Sequence, residues 1–214
     1  MIDFIVSKRQ MIIQSFVSLR KKTILEVACG SGHLTRSLLT GDNFVLGIDP
    51  NAESIGIARK VASEAAFMVK SFEDFYPGER QFDLVIFSIG LHEMKNQEEL
   101  IMKAKKMVAP SNGNVLIIER DITTQFFNVI NKINPSIIED EGKKVAKTQK
   151  ILTSIFTINI GILPNIMYFQ NATDFWKICL NGDKNVTLIS IVESLNVKLN
   201  QGFYIEDNMI MYLL

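Results

Sequence analysis

The sequence predicts an α/β protein built on an open, mostly parallel seven-stranded sheet. Helices cover both faces, the last strand is antiparallel, and a lid-like insertion follows strand five. Three observations predict it. Five short apolar runs alternate with helix-period segments in the first 120 residues. These runs are continuous rather than alternating, as strands buried on both faces are. Two further strand-like pieces close the chain around the polar turn Glu206-Asp207-Asn208, and a turn that short makes its two strands antiparallel.

Each element has its own signal. Ile2, Ile5, Ile12, Phe16 and Leu19 lie at helical spacing, so residues 2–19 are an opening helix closed by Lys21 and Lys22. Residues 23–28 are apolar, too few for a helix, and run into Cys29-Gly30-Ser31-Gly32, which marks a buried strand. Leu34, Leu38 and Leu39 resume the helical period, with Gly41 as its stop. Residues 44–48 are the second strand, 52–64 a helix and 67–70 the third strand. After the Pro77-Gly78 turn, residues 82–89 carry the strongest strand signal in the chain. Residues 97–108 form a helix with Lys103, Lys105 and Lys106 on its outer face, ended by Pro110-Ser111-Asn112-Gly113, and 115–118 are the fifth strand. Regular signals thin out over 121–185. Residues 186–195 then read as a helix, and 197–205 and 209–214 as the closing hairpin. The expected organisation is an N-terminal helix (1–22), a core (23–120), an insertion over the acceptor side (121–185), and a last helix with a C-terminal hairpin completing the sheet (186–214).

Composition narrows the function classes. With 23 basic and 23 acidic residues the net charge is zero, so the chain has no global attraction to phosphate backbones, and a nucleic-acid partner is not expected. Cys29 and Cys179 stand 150 positions apart and make no secreted disulfide framework. Asp3, Lys8, Arg9 and Arg20 break up any leader-type apolar stretch. The apolar segment 151–167 is interrupted by Thr153, Ser154, Asn159 and Pro164, short of a membrane span. A soluble cytoplasmic protein is the expectation.

The densest chemistry lies at Leu25-Glu26-Val27-Ala28-Cys29-Gly30-Ser31-Gly32-His33, where a strand turns into a helix at the carboxyl edge of the sheet. Gly30 and Gly32 let a ligand approach the main chain without a Cβ in the way. Asp49, at the end of the second strand, can accept hydrogen bonds from both hydroxyls of a ribose. A nicotinamide dinucleotide calls for a third glycine, but the run continues His33-Leu34-Thr35. Glu26 would repel a diphosphate, whereas it favours an ammonium or a sulfonium. The loop suits a cationic nucleoside, which points to S-adenosylmethionine.

Five segments in order carry a family resemblance. They are Leu25–Gly32; Gly47-Ile48-Asp49; Ser71-Phe72-Glu73-Asp74; Phe82-Asp83-Leu84-Val85 leading to Leu91-His92; and Met107-Val108-Ala109-Pro110 before strand five. Over residues 20–120 the sequence resembles the class I S-adenosylmethionine-dependent methyltransferases, with Ala28 where many members have glycine. The resemblance implies a Rossmann-like fold and S-adenosylmethionine as cofactor. By position it places Glu26 and Gly30 at the methionine end and Asp49 on the ribose, and it counts Ala28, Gly32 and Pro50 among the cofactor-binding residues. Ser71 and Phe72 would flank the adenine, and Ser88 would line the cofactor.

The acceptor side is less defined. Within the resemblance, the chain lacks the Asn/Asp-Pro-Pro-aromatic segment of base-amino methylation, having Ser88-Ile89-Gly90-Leu91 instead, and it lacks a cysteine nucleophile at that edge. Asp121 and Glu93 are too few for a hard-cation site, so no metal is expected. His92 is the candidate general base, set against a purely structural role in its loop. Phe126, Phe127, Tyr168, Phe169, Phe175 and Trp176 in the insertion suit a small, apolar or aromatic acceptor, or else fill a subdomain core. Lys143, Lys144, Lys147 and Lys150 read as a solvated helix face. Three readings stay open: a small-molecule methyltransferase, an RNA or protein methyltransferase, and a non-catalytic S-adenosylmethionine-binding protein.

Overall fold

A strand apolar on both faces can be buried only between neighbours and under helices, and the five apolar runs are arranged in that way. A computed structural model describes residues 10–40, 42–79, 81–180 and 186–214. Ile2 and Ile5 of the expected opening helix, the Gly41 stop and residues 181–185 of the insertion lie outside the described residues. The chain divides into two compact units. One runs to Glu119 and takes up Thr148–Leu163 and Ile210–Leu214; the other comprises Arg120–Lys147 and Pro164–Met209.

In the first unit, residues 10–16 are helical (α1). Thr23–Val27 (β1), Phe44–Asp49 (β2), Ala66–Val69 (β3), Leu84–Ser88 (β4) and Asn114–Arg120 (β5) then follow. The pairings β1 with β2, β1 with β4, β2 with β3 and β4 with β5 are all parallel, with Leu25 opposite both Leu46 and Val85. Ile24, Leu25, Val27 and the run Leu84, Val85, Ile86, Phe87 are each at most 1% exposed. Burial on that scale contributes about 1.5–3 kcal/mol per large side chain. Strand order β3-β2-β1-β4-β5 means that the chain builds outward from β1 in one direction and then restarts at β4 on its other side. The carboxyl ends of β1 and β4 therefore diverge into a crevice, the position at which open parallel sheets receive ligands.

Between the strands lie His33–Leu38 (α2), Ala52–Val61 (α3) and Gln97–Met107 (α4). In α3, Asn51 caps the helix by accepting from the Ser54 N–H at 3.0 Å, Ile55 and Ala58 face inward, and Arg59 and Lys60 end it. In α4, Leu100, Ile101, Ala104 and Met107 are buried. Lys103 is not on an outer face: its Nζ donates to the carbonyls of Phe72 (2.7 Å) and Glu73 (2.8 Å).

Among the described residues the large sheet has seven strands, and one of the two expected closing strands, 209–214, joins it, but the other does not. The large sheet continues β5-β9-β6, where Asn159–Leu163 is β6 and Met209–Leu213 is β9. Val115 and Leu214 exchange both backbone hydrogen bonds, at 3.3 and 2.9 Å, which makes β9 antiparallel to β5. The closing hairpin does not form. Phe203–Glu206 (β8) pairs antiparallel with Ile166–Phe169 (β7) in a separate two-stranded sheet. Burial along the strands explains the parting. β8 alternates, with Phe203 and Ile205 in and Tyr204 and Glu206 out, as a one-sided sheet requires, whereas β9 buries Met211 and Tyr212 in succession. The seventh place falls to β6, from the apolar segment that carried no clear periodicity in the sequence.

The second unit holds Gln125–Ile133 (α5), the start of Glu139–Ile155 (α6), β7, Ala172–Cys179 (α7), Leu188–Leu195 (α8) and β8. Its core gathers Phe127, Ile130, Phe169, Phe175, Ile191, Phe203 and Ile205. Phe175 lies 5.1 Å from Phe169 and 6.5 Å from Phe126, centroid to centroid. In α6, Lys143 pairs with Glu139 at 2.6 Å and Lys144 with Asp140 at 2.8 Å, so acids one turn earlier answer part of the lysine run. Among the described residues no helix is long and apolar enough to cross a membrane.

Candidate functional site

A cleft of about 480 Å³ opens at the carboxyl ends of β1, β2 and β4. Its walls include Ala28, Asp49, Pro50, Ser71, Phe72 and Glu93. The turn after β1 is wound left-handed, with φ of +56° at Ala28, +50° at Gly30 and +79° at Gly32. Gly32 is required twice over, by its φ and because a Cβ there would lie 3.0 Å from Ala58 of α3. A Cβ on Gly30 would meet nothing within 4 Å, so the main chain at that point faces open space. Opposite, a Cβ on Gly90 would come within 2.5 Å of the Ala28 Cβ. Ala28 and Gly90 are therefore a matched small pair. Cys29 is a buried packing residue beside Gly47, and burial pushes its thiol pKa far up, which removes it as a nucleophile.

Asp49 ties the turn to the second strand. Its Oδ2 accepts from the Gly30 N–H at 3.0 Å and its Oδ1 from the Asn51 N–H at 2.8 Å, leaving lone pairs on both oxygens. The next wall is a short turn fixed at both ends. Ser71 Oγ donates to Asp74 Oδ2 (2.8 Å) and accepts from the Asp74 N–H (3.2 Å), while Lys103 grips the carbonyls of Phe72 and Glu73. The Phe72 ring itself is 2% exposed, edge-on to Phe87 at 5.1 Å and under Lys103 at 5.0 Å. Phe72 thus packs its ring into the core and is not an exposed stacking platform.

Glu26 is fully buried behind the turn and is not part of the cleft wall. Its Oε2 accepts from the Thr35 hydroxyl at 2.5 Å, and its Oε1 has no partner. Burial raises its pKa from 4.5 to about 7, with the hydroxyls of Thr35 and, less strongly, Ser88 pulling back and the Asp49 charge adding to the rise. A cation brought to that oxygen would reverse the shift.

His92 sits in a single 3-10 turn, Leu91–Glu93, and is 6% exposed. One carboxylate grips it twice: Glu119 Oε1 accepts from the His92 backbone N–H at 3.1 Å, and Oε2 lies 2.7 Å from Nδ1. Nε2 faces Glu93 Oε1 at 3.6 Å. Behind the turn, Gln97 Nε2 donates to the His92 carbonyl at 3.4 Å and Thr148 Oγ1 donates to Gln97 Oε1 at 2.9 Å. Glu93 reaches the cleft; His92 does not line it. Glu119 escaped the sequence reading. Its signal was an acid ending the apolar run Val115–Ile118, where a buried charge needs a partner.

The comparisons agree with this geometry. Residues 24–111 match the family model described as a methyltransferase domain. An uncharacterized methyltransferase of Synechocystis sp. is 35% identical over 71 residues, 33% of this chain and 34% of the relative, so the chain spans about a third of that relative's length. The ubiquinone biosynthesis O-methyltransferase of Vibrio atlanticus is 25% identical over 178 residues, 77% of this chain and 74% of that protein. The plantazolicin methyltransferase BpumL, solved in complex with SAH, shares the fold, with a TM-score of 0.52 at 13% identity over 99% of this chain and 84% of its own. With the glycine turn, the acid on β2 and the sheet order in place, residues 24–111 of this chain match a methyltransferase domain.

Proposed function

We propose that the chain transfers the methyl group of S-adenosylmethionine to a small, apolar or aromatic metabolite by in-line displacement, and that it does so in the cytoplasm, where its two unbonded thiols are at home. The observation that carries the reading is Asp49. Each of its oxygens is oriented by one backbone N–H and keeps a lone pair for a ribose hydroxyl, beside a main chain left open at Gly30. The cofactor fits the remaining groups. The unpartnered Glu26 oxygen, with Ser88 beside it, favours a cation at the methionine end. Ala28, Gly32 and Pro50 keep the turn and its neighbour narrow, and the braced Ser71–Asp74 turn supplies main-chain groups for the adenine.

The cofactor supplies a methyl group already made electrophilic by its sulfonium. What the protein adds is chiefly orientation in a dry site, which can be worth ~7–11 kcal/mol. We assign His92 to the acceptor's proton, handed on by Glu93, the carboxylate that reaches the cleft. Glu119 fixes the imidazole through Nδ1, which leaves Nε2 as the nitrogen that takes the proton, with Glu93 beside it to favour the imidazolium. Acceptor choice is assigned to the insertion 121–185. A small acceptor is favoured because the Vibrio relative, matched over three quarters of this chain, is named for O-methylation in ubiquinone biosynthesis, and because Lys143 and Lys144 are already paired within their helix.

Calorimetry tests the cofactor directly. S-adenosylmethionine should bind and NAD should not. Asp49→Ala should weaken S-adenosylmethionine roughly 10- to 150-fold, the loss of hydrogen bonds to a charged group worth about 1.5–3 kcal/mol. Unchanged affinity in that variant, or tighter binding of NAD by the wild type, refutes the assignment. Formation of S-adenosylhomocysteine from a small-molecule extract, and not from RNA or protein, decides the acceptor class.

A further inference from the structure

The second unit contains a cavity of its own, of about 260 Å³. Phe126, Ile130, Ile138 and Met167 give it apolar walls, and Arg120, Glu141 and Asp207 give it one charged side. The guanidinium of Arg120 is shared between two acids. Its Nε lies 2.7 Å from Glu141 Oε1, a terminal nitrogen lies 3.3 Å from Asp207 Oδ2, and the group rests over the Phe126 ring at 5.9 Å. One cation answers two carboxylates, and Asp121 adds a third negative charge to the surroundings of Asp207.

Asp207 is the group left over. It is 4% exposed, and its Oδ1 makes no hydrogen bond. A buried carboxylate oxygen without a partner costs stability, and that cost is recovered by any donor that reaches it. Burial accordingly holds the Asp207 pKa above its ordinary value, with Arg120 and the Asn165 side chain opposing the rise and Glu141 and Asp121 adding to it. Because Arg120 is already engaged, an anionic ligand would meet net negative charge. A cation or a strong donor carrying an apolar body would satisfy Oδ1 and fill the walls at once.

We propose that this cavity is a binding pocket for a small organic amine, with its ammonium on Asp207 and its hydrocarbon or aromatic body against Phe126, Ile130 and Met167. The pocket lies wholly within the second unit and does not depend on the methyl-transfer reading. Cys179 is in its wall, with a thiol pushed up to about 12 by burial and by Asp207, so it reacts slowly and serves as a reporter.

The probe is 2-phenylethylamine, compared with 3-phenylpropionate, an anion of similar bulk, on the full chain. The amine should bind saturably, with a dissociation constant of about 1 mM or tighter, and the anion at least tenfold more weakly. The amine should also protect Cys179 from a small neutral thiol reagent. Asp207→Asn should weaken the amine roughly 10- to 100-fold while S-adenosylmethionine binding stays unchanged. Should that variant misfold through loss of an Arg120 partner, Cys179→Met, which adds bulk to the wall and leaves every charge in place, should block the amine. Equal binding of amine and anion, no protection of Cys179, or full amine affinity in Cys179→Met overturns the proposal.

Discussion

Glu26→Gln should make the protein more stable and its cofactor binding weaker, and pH should separate the two effects. The carboxyl is fully buried, with one oxygen on Thr35 and the other unpartnered, and its pKa is raised from 4.5 to about 7 chiefly by burial. A rise of that size corresponds to about 3 kcal/mol, at ~1.4 kcal/mol for each pH unit. The sign follows from which state holds the proton. Below pH 4.5 the carboxyl is protonated in both folded and unfolded chains, and its burial carries no ionic cost. Between 4.5 and about 7 the unfolded chain ionises while the folded one keeps its proton, so stability falls as pH rises; above 7 the loss is complete. Glutamine, of nearly the same shape, never ionises. The variant should therefore match the wild type near pH 4.5 and exceed it at pH 8 by about 3 kcal/mol, roughly 6–12 °C in melting temperature for a chain of this size. Denaturant titrations at the two pH values, followed by far-ultraviolet circular dichroism, measure the difference. A variant less stable than the wild type at pH 8, or a gain that does not change with pH, refutes the account. The same carboxylate should release a proton when an ammonium or sulfonium arrives, so near pH 6.5 the wild type's heat of cofactor binding should depend on the ionisation enthalpy of the buffer, and the variant's should not.

The other expectations concern the cleft's steric pair and its histidine. Gly90→Ala places a Cβ 2.5 Å from that of Ala28 and should destabilise by about 1–3 kcal/mol, whereas adding Ala28→Gly, which also relieves the left-handed φ of +56°, should restore most of the loss; independent, additive effects in denaturant titrations would refute the pairing. His92→Ala should leave S-adenosylmethionine affinity intact and lower single-turnover transfer ~10²–10⁴-fold, and Glu119→Gln should lower it with a shifted pH profile, since the imidazole loses its charged partner at Nδ1. Rates that stay at the wild-type level across pH 6 to 9 in His92→Ala would leave orientation alone as the mechanism.

The parallel core was legible because its strands carry two independent marks, continuous apolar runs and glycine or proline punctuation, and each fixes the other's limits. The same logic failed where only one mark was present. Residues 159–163 are apolar without periodicity, and an edge strand with Ile160 and Ile162 more than half exposed gives no burial pattern to read. The closing hairpin was drawn from turn chemistry at Glu206-Asp207-Asn208, yet Phe203–Glu206 alternates and Met209–Leu213 does not, a difference in period that assigns the two strands to different sheets. At the site, Asp49 could be placed from spacing to the glycine turn alone. Glu119 could not: an acid closing an apolar run says that a partner is needed, but that partner stands 27 positions away and nothing local names it.

The two acids that the sequence treated so differently share one physical role at the sheet's carboxyl edge. Glu26 is the next-to-last residue of β1 and Glu119 of β5, and both are completely buried. They differ in what the fold gives them. Glu119 receives a backbone N–H and an imidazole nitrogen, so its charge is spent on holding the turn that carries His92. Glu26 has the Thr35 hydroxyl on one oxygen, with the Ser88 hydroxyl near enough to favour the charge, and no hydrogen bond of good geometry on the other oxygen. A fold that needed Glu26 only for stability would do better with glutamine, since a half-satisfied buried carboxylate costs more than a neutral amide of its shape. On the proposed reading the missing partner is the cation that arrives with the cofactor, whose charge would lower the raised pKa of Glu26.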